Sequence, residues 1–403
     1  MHSNQSQKKQ LITVLGATGS IGVNTLDVLS RHPDMFEVFA LTGRSQIALL
    51  AEQVIKFKPK YAVLETEQAV NVLKEFLKDT QSNTELLFGP QALIDVSADS
   101  EVNIVMSAIV GAAGLLPTMA AVTAGKKVLL ANKEALVMSG ELFINNVNKF
   151  NAQLIPIDSE HNAIFQCLPS DFTYGDKTAS GIAHLLLTGS GGPFRELSLS
   201  DFEAITPEQA CAHPNWDMGK KISVDSASMM NKGLEFIEAK WLFGFDEKDI
   251  QVVLHPQSTI HSMVQYIDGS VIAQLGNPDM RTPIAYGLGF PRRIDAGVKT
   301  LDFNQLSDFS FSKPDPQRYP NLYLAIEACK EGQAATTALN AANEIAVEAF
   351  LGGHITFTQI TQINEQTLEK QCHTKLTCID SIIDHDHTSR LTAAQVLKEV
   401  CKC

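Results

Sequence analysis

The chain reads as an α/β protein with three parts: a parallel-sheet domain first, a central α+β domain next, and a C-terminal helical bundle. Three observations predict this. Apolar runs alternate with helical patterns from Leu11 to Ile157. A glycine-rich turn, Gly16-Ala17-Thr18-Gly19-Ser20-Ile21-Gly22, follows the first of those runs. From residue 319 onward only helical periodicity is left. Alternation of strand and helix builds a parallel sheet covered on both faces.

Strand-like runs lie at 11–15, 36–42, 61–64, 85–88, 102–106, 127–131 and 153–157, with helical patterns such as 45–57 and 132–150 between them. From about 181 to 276 the runs at 182–188, 250–254, 260–267 and 270–275 predict a mixed or antiparallel sheet. The last two meet at Asp268-Gly269, a hairpin dipeptide. Residues 291–318 carry prolines and no period, as a linker does. Within 319–403, Gly332 and Gly352-Gly353 are helix stops, and Thr388 is the expected cap of a last helix. The expected division is therefore 1–157, a parallel-sheet domain; 158–290, a mixed α+β domain; the linker 291–318; and 319–403, helical.

With 403 residues, 44% of them hydrophobic, the chain can bury a large core. Its formal net charge of −13 argues against nucleic acid or an anionic membrane as partner, though not against a small phosphorylated substrate. No apolar run reaches the roughly 18 residues of a membrane span. Met1 to Gln10 is polar and lacks the apolar core of a secretory signal, so a cytoplasmic location is expected. The seven cysteines contain no CxxC pair and are odd in number, which fits reduced thiols. Cys372, His373, Cys378, His385 and His387 match no common zinc spacing and read as helix-surface residues.

Placed after a strand and before a helix, the loop at 16–22 is Rossmann-like and suits a pyrophosphate, which would meet free N–H groups at the helix start. The second strand ends at Gly43-Arg44-Ser45 without the carboxylate that selects NAD. An Arg fork fits a 2′-phosphate, so NADPH is expected. Asp158 and Glu160, two residues apart outside a helix, can point to one side, and Glu235 is a plausible third oxygen donor. Such a set favours Mg²⁺ or Mn²⁺ over Zn²⁺. Ser226, Asn231 and Lys232 offer two neutral donors and one cation, a combination suited to phosphate. On a helix, Asn231 and Glu235 would share a face. Leu187-Thr188-Gly189-Ser190-Gly191-Gly192-Pro193 opens a hinge, and the segment from Ser190 to Lys220, carrying His213 and Trp216, is the expected lid.

Together Gly16–Gly22, Ala131-Asn132-Lys133-Glu134, Ile157-Asp158-Ser159-Glu160-His161-Asn162-Ala163, Thr188–Phe194, His213-Pro214-Asn215-Trp216, Met229–Glu235 and Gly276–Pro283 resemble the 1-deoxy-D-xylulose-5-phosphate reductoisomerases. The resemblance runs from about residue 11 to the C-terminus and is less specific after 317. Gly43-Arg44-Ser45 departs from the family's frequent Gly-x-Asn.

That resemblance implies an NADPH- and Mg²⁺- or Mn²⁺-dependent homodimer that makes 2-C-methyl-D-erythritol 4-phosphate for the non-mevalonate isoprenoid route. It assigns the nucleotide to 1–157, and catalysis and dimerisation to 158–290. It implies that Asp158, Glu160 and Glu235 bind metal, and that Ser190, Ser226, Asn231 and Lys232 hold phosphate. Ser159, Lys133 and His213 would contact the sugar, with Lys133, Glu160 and His213 nearest the chemistry. Thr18, Gly19, Ser20, Ile21, Gly43, Arg44, Ser45, Asn132, Glu134 and Gly219 would line the cofactor site.

Competing readings lack their residues. A short-chain dehydrogenase needs Tyr-x-x-x-Lys, and none of the six tyrosines has Lys four residues on. A semialdehyde dehydrogenase needs a reactive cysteine, whereas Cys167 sits in Phe-Gln-Cys-Leu-Pro with no evident base nearby. A non-catalytic NADP sensor would keep the loop but not the carboxylate trio.

Overall fold

A computed structural model describes residues 8–212, 219–306, 308–371 and 375–401. In chain order the elements are β1 (Gln10–Leu15), α1 (Ser20–Arg31), β2 (Phe36–Thr42), α2 (Ile47–Phe57), β3 (Tyr61–Leu64), α3 (Glu67–Leu77), β4 (Glu85–Phe88) and α4 (Gly89–Ala98). Next come β5 (Ile104–Ser107), α5 (Leu115–Thr123), β6 (Lys127–Leu130), α6 (Lys133–Lys149), β7 (Gln153–Pro156) and α7 (Ser159–Cys167). Then follow β8 (Ile182–Gly189), α8 (Pro207–Cys211), α9 (Lys220–Ala227), α10 (Met230–Phe243), β9 (Ile250–Leu254), β10 (Ile260–Tyr266), β11 (Val271–Leu275) and α11 (Arg281–Gly289). The remaining helices are α12 (Pro320–Glu331), α13 (Gln333–Leu351), α14 (Phe357–Glu369) and α15 (Ile379–Val400).

The chain forms two compact units. The first holds residues up to Asn132, Asn145–Asp158 and Asp279–Lys299; the second holds Lys133–Ile144, Ser159–Pro278 and Thr300 onward. In the first, seven parallel strands run in the order β4-β3-β2-β1-β5-β6-β7. Ile12, Val14, Leu41, Ile104, Met106 and Val128 are fully buried, as continuous apolar strands under two helical layers must be. Strand order reverses between β1 and β5, which opens a ligand crevice at their carboxyl ends. α11 belongs to this unit. Gly287 lets it approach the sheet, since a Cβ there would meet Ile157 Cδ1 at 2.8 Å, and Arg281 ties it to α1 through Asp27 at 3.1 Å.

In the second unit the sheet order is β11-β10-β8-β9, with β8 parallel to β9 and antiparallel to β10. The β10–β11 hairpin turns at Asp268-Gly269 as the dipeptide requires, with Gly269 at φ 87°. α10 buries Leu234, Phe236, Ile237 and Phe243 against Leu185, Leu187 and Val264 of the sheet. Gly332, at φ 109°, separates α12 from α13. Thr388 does not cap a helix. It lies inside α15, where its hydroxyl donates back to Asp384 O at 2.9 Å, and Cys378 is the N-cap. A hydroxyl that satisfies itself on the preceding turn gives no start signal. Among the described residues no helix is long and apolar enough to cross a membrane.

Part of the segment expected to be a lid is anchored in a core. Phe194, Phe202, Ile205 and Ala210 are buried with Phe350, Phe357 and Ile360, and Arg318 donates to the carbonyls of Phe194 and Leu197 at 2.9 and 2.7 Å. Their irregular spacing hid an aromatic cluster whose rings meet edge to face. His213 and Trp216 lie outside the described residues, as do Cys372 and His373.

Candidate active site

The loop expected to take the nucleotide is built by close backbone approach. Gly16 adopts φ 78°, and a Cβ there would meet Ala108 O, just past β5, at 2.6 Å. Gly22 is equally confined, with Gly16 O at 2.3 Å from its hypothetical Cβ. The Gly16 N–H donates to Thr42 Oγ1 at 2.8 Å, and Gln53 and Gln46 donate to the carbonyls of Ala17 and Thr18 at 2.8 and 3.0 Å. Gly19 and Ser20 are exposed at the start of α1, which no side chain caps, so its first N–H groups face outward for an anion.

A Cβ at Gly43 would meet Thr18 Cγ2 at 3.4 Å, so the two predicted cofactor segments lie side by side. Arg44 is mostly exposed, and its Nε donates to Glu65 Oε2 at 2.8 Å. The carboxylate that β2 lacks thus arrives from the end of β3, a relation no local pattern signals. Asn132 donates to the carbonyls of Ile109 and Gly111 at 2.6 and 3.1 Å, bracing the loop after β5.

Asp158, Glu160 and Glu235 present carboxylate oxygens that lie within 4.8 Å of one another. Asp158 is the residue at which the chain passes from one unit to the other, one peptide bond before α7, so its nearness to Glu160 is set by the chain itself. Glu235 is almost wholly buried on α10. Lys232, one turn earlier, donates to Glu160 Oε1 at 2.7 Å and to Glu235 Oε2. The ammonium therefore supplies the positive charge that these acids need; a hard cation would suit the same oxygens. Asn231 donates to Glu235 Oε1, as their i, i+4 spacing predicts, and accepts from Lys133 Nζ at 2.7 Å. Ser159 donates to Glu160 Oε2 at 2.5 Å.

The glycine-rich loop closes over this group. A Cβ at Gly189 would meet Lys232 Cε at 2.9 Å, and one at Gly192, itself at φ 69°, would meet Ser226 O at 2.9 Å. Glycine is thus what lets the loop lie against the lysine stem and the end of α9. Ser190 Oγ accepts from the Gly192 N–H at 3.1 Å, and Arg195 donates to Ser190 O at 3.1 Å. Met229, left-handed at φ 60°, turns the chain from α9, which carries Ser226, into α10, which carries Asn231 and Lys232. Gly219 precedes α9, and no described residue beyond its chain neighbours lies within 4 Å of where a Cβ would stand.

Three further residues surround the acids. His161 Nε2 contacts Glu235 O at 2.8 Å while its Nδ1 is 3.7 Å from Glu238 Oε2, and all are buried. Asp158, His161 and Glu238 form a second group able to hold an ion. With one ring nitrogen on a carbonyl and the other facing a carboxylate, His161 is better suited to orient α10 than to ligate. Burial lowers the pKa of His261, although the Glu160 charge opposes this. Glu238 was readable as the i+3 neighbour of Glu235; His261 gave no local signal. Glu134 is buried too, and burial raises its pKa, but the Lys221 ammonium at 3.1 Å helps to outweigh that and hold it below the usual carboxylate range.

Family models described as 1-deoxy-D-xylulose 5-phosphate reductoisomerase match residues 12–140, and models of that enzyme's C-terminal domains match 154–243 and 275–392. The chain is 57% identical to the 1-deoxy-D-xylulose 5-phosphate reductoisomerase of Idiomarina loihiensis, with 96% of this chain and 98% of that protein covered. Identity to the Tolumonas auensis protein is also 57%, over 96% and 98%. A solved DOX-P reductoisomerase in complex with NADPH, fosmidomycin and magnesium superposes with TM-score 0.92 at 44% identity, over 96% of this chain and 98% of that one. The Zymomonas mobilis enzyme in complex with NADPH gives 0.89 at 43%, over 97% and 99%. With models matching along most of its length and relatives of this identity covered end to end, the chain belongs to the 1-deoxy-D-xylulose 5-phosphate reductoisomerase family.

Proposed function

We infer that this chain is an NADPH- and Mg²⁺-dependent oxidoreductase that rearranges and reduces 1-deoxy-D-xylulose 5-phosphate to 2-C-methyl-D-erythritol 4-phosphate, in the non-mevalonate route to isoprenoids. The observation that carries this reading is the meeting of Asp158, Glu160 and Glu235 with Lys232 under a glycine-rich loop, in a chain of this family. Three carboxylates with no sulfur or imidazole suit Mg²⁺, and equally Mn²⁺.

When bound, the cation supplies Lewis acidity to a carbonyl and its neighbouring hydroxyl, and the reduced nicotinamide supplies a hydride. The protein's residues bind and orient. Ser190, Ser226, Asn231 and Lys232 hold the phosphate, so that binding energy at one end of the sugar fixes the other. Lys232 contributes only when released from Glu160 and Glu235, and a cation on those acids would release it. Lys133, which donates to Asn231, would also donate to a sugar oxygen, and Ser159, whose proton lies on Glu160, would accept from a sugar hydroxyl; His213 completes that group. Thr18 to Ile21, Gly43 to Ser45, Asn132, Glu134 and Gly219 line the cofactor site. The division into 1–157, 158–290, 291–318 and 319–403 is the functional one in this reading.

The protein is a cytoplasmic homodimer in this reading. The five described cysteines are all free thiols, which suits a reducing compartment. β11 ends its sheet, and Ile267, Val271 and Ile272 on the hairpin are exposed, an apolar edge that a second copy would cover. The deciding assay follows NADPH oxidation with deoxyxylulose phosphate. Turnover that requires added Mg²⁺ or Mn²⁺ is expected; turnover undiminished by a chelator would sink the metal assignment, and none under any condition would sink the reading.

A further inference from the structure

Behind the phosphate residues lies a buried polar chain that shares only Glu134 with the site described above. Lys221, in the first turn of α9, places its ammonium 3.1 Å from Glu134 Oε1 and 2.9 Å from Asp225 Oδ2. Both carboxylates are under 5% exposed. The other oxygen of Asp225 accepts from Asn343 Nδ2 on α13 at 2.8 Å. Asn343 in turn accepts from Asn364 on α14 at 3.3 Å, and Asn364 also donates to Asn321 on α12 at 3.1 Å. All three asparagines are buried. A third carboxylate, Glu344, faces Lys221 and is held from the other side by Arg390 at 2.7 Å.

Hydrophobic residues of similar volume would hold these helices together at least as well, because burying ions costs solvation that their pairing only partly returns. What such a network adds is one allowed arrangement, since every donor must find its own acceptor. Here the arrangement fixes α9, whose last turn carries Ser226 and whose start is Gly219. Asp225 is the residue before Ser226; one of its oxygens is held by Asn343 on α13, and the other meets Lys221 of its own helix, which reaches out to Glu134 on α6, so the end of α9 that carries Ser226 is tied to two other helices. Without Lys221, Glu134 and Asp225 would face each other as buried like charges, and the turn between them would shift or take up protons.

We propose that Lys221, with Asp225 and Asn343 behind it, is a positioning residue that preorganises the phosphate cradle by fixing α9 and thereby Ser226. The proposal rests on the reading of Ser226 as a phosphate donor. It assigns Lys221 no contact with substrate, so its effect must pass through the serine.

Glycerol 3-phosphate binding to the full-length protein tests this by calorimetry, without turnover. Lys221→Met and Ser226→Ala should each weaken binding about tenfold, the scale of one hydrogen bond to a charged group. The double variant should lose little more than either alone, within about threefold, because residues acting in series do not add. Lys221→Arg, which keeps the bridging charge, should return to within about threefold of wild type. Should Lys221→Met fail to fold, Asn343→Ala leaves both carboxylates their ammonium and serves in the same cycle. Additive losses, or an Arg variant as weak as the Met one, would overturn the positioning role while leaving the phosphate reading intact. No loss in Ser226→Ala would sink both.

Discussion

The ammonium of Lys232 stands 2.7 Å from Glu160 Oε1, among the carboxylates that would hold a divalent cation. In the proposed site, lysine and metal would be rivals for the same oxygens, while lysine and metal together would serve the substrate.

Lys232→Met should push two measurements in opposite directions. Mg²⁺ binding to the substrate-free protein should tighten a few-fold, since no internal cation has to be displaced. KM for deoxyxylulose phosphate should rise by about thirtyfold or more, the scale of one lost charged hydrogen bond. Calorimetry and steady-state kinetics read the two; a weakening of both would mean that Lys232 props the acids rather than competing for them.

Cofactor choice turns on Arg44 and Glu65. Arg44→Asp should cost NADPH far more than NADH, because the new carboxylate repels the 2′-phosphate. Glu65→Gln should do the reverse, tightening NADPH by about two- to threefold, an effect that fades at high salt as an exposed pair requires. Fluorescence titration with both nucleotides checks this, and equal changes for the two would reduce Arg44 to a loop charge.

Lys127 gives the first unit a signature in alkali. Its ammonium is part-buried under the carbonyls of Leu288 and Phe290, and burial lowers its pKa from 10.5 to about 8. Between those values the unfolded chain binds the extra proton, so stability contributed at this site rises as pH climbs from about 8 to 10.5. Urea melts at pH 7.5 and 10 should show wild type gaining on Lys127→Gln; parallel curves would return Lys127 to ordinary solvation.

Thiol labelling should be sharply ordered. Burial pushes Cys167 up to about 11 and Cys329 up to about 12. Exposed Cys378 is lowered, chiefly by its backbone hydrogen bond with Ser381 at the start of α15. Alkylation at pH 7 mapped by mass spectrometry should mark Cys378 well before the buried pair, which should react only in denaturant. Early labelling of Cys167 would contradict its place in the α7–β8 core.

Local chemistry was legible. The loop at 16–22 and the run Asn231-Lys232-Gly233-Leu234-Glu235 are short stretches that depend on neighbours in the chain, and each sits on the element its spacing implies; Asp158 and Glu160 do come together, but with Glu160 in the first turn of α7 rather than outside a helix as expected. Partners drawn from other elements were not legible. Glu65 reaches Arg44 from the adjacent strand, Asn343 reaches Asp225 across more than a hundred residues, and Phe194 finds Phe357 only once the helices fold. Thr388 failed for a different reason: a cap residue and a back-bonded residue inside a helix look alike until the turn before them is known.

Gly189 and Gly219 will behave differently under mutation. At Gly189 the obstacle is the protein's own Lys232 stem, 2.9 Å from a Cβ, so even alanine must displace a residue already in place. At Gly219 nothing among the described residues lies within 4 Å, its chain neighbours aside, and φ is an ordinary −59°. A library screened only for folded protein should therefore accept side chains at 219, and the same library screened for growth on its product should reject them. The distance between the two outcomes would reveal where a ligand, and not the fold, requires glycine.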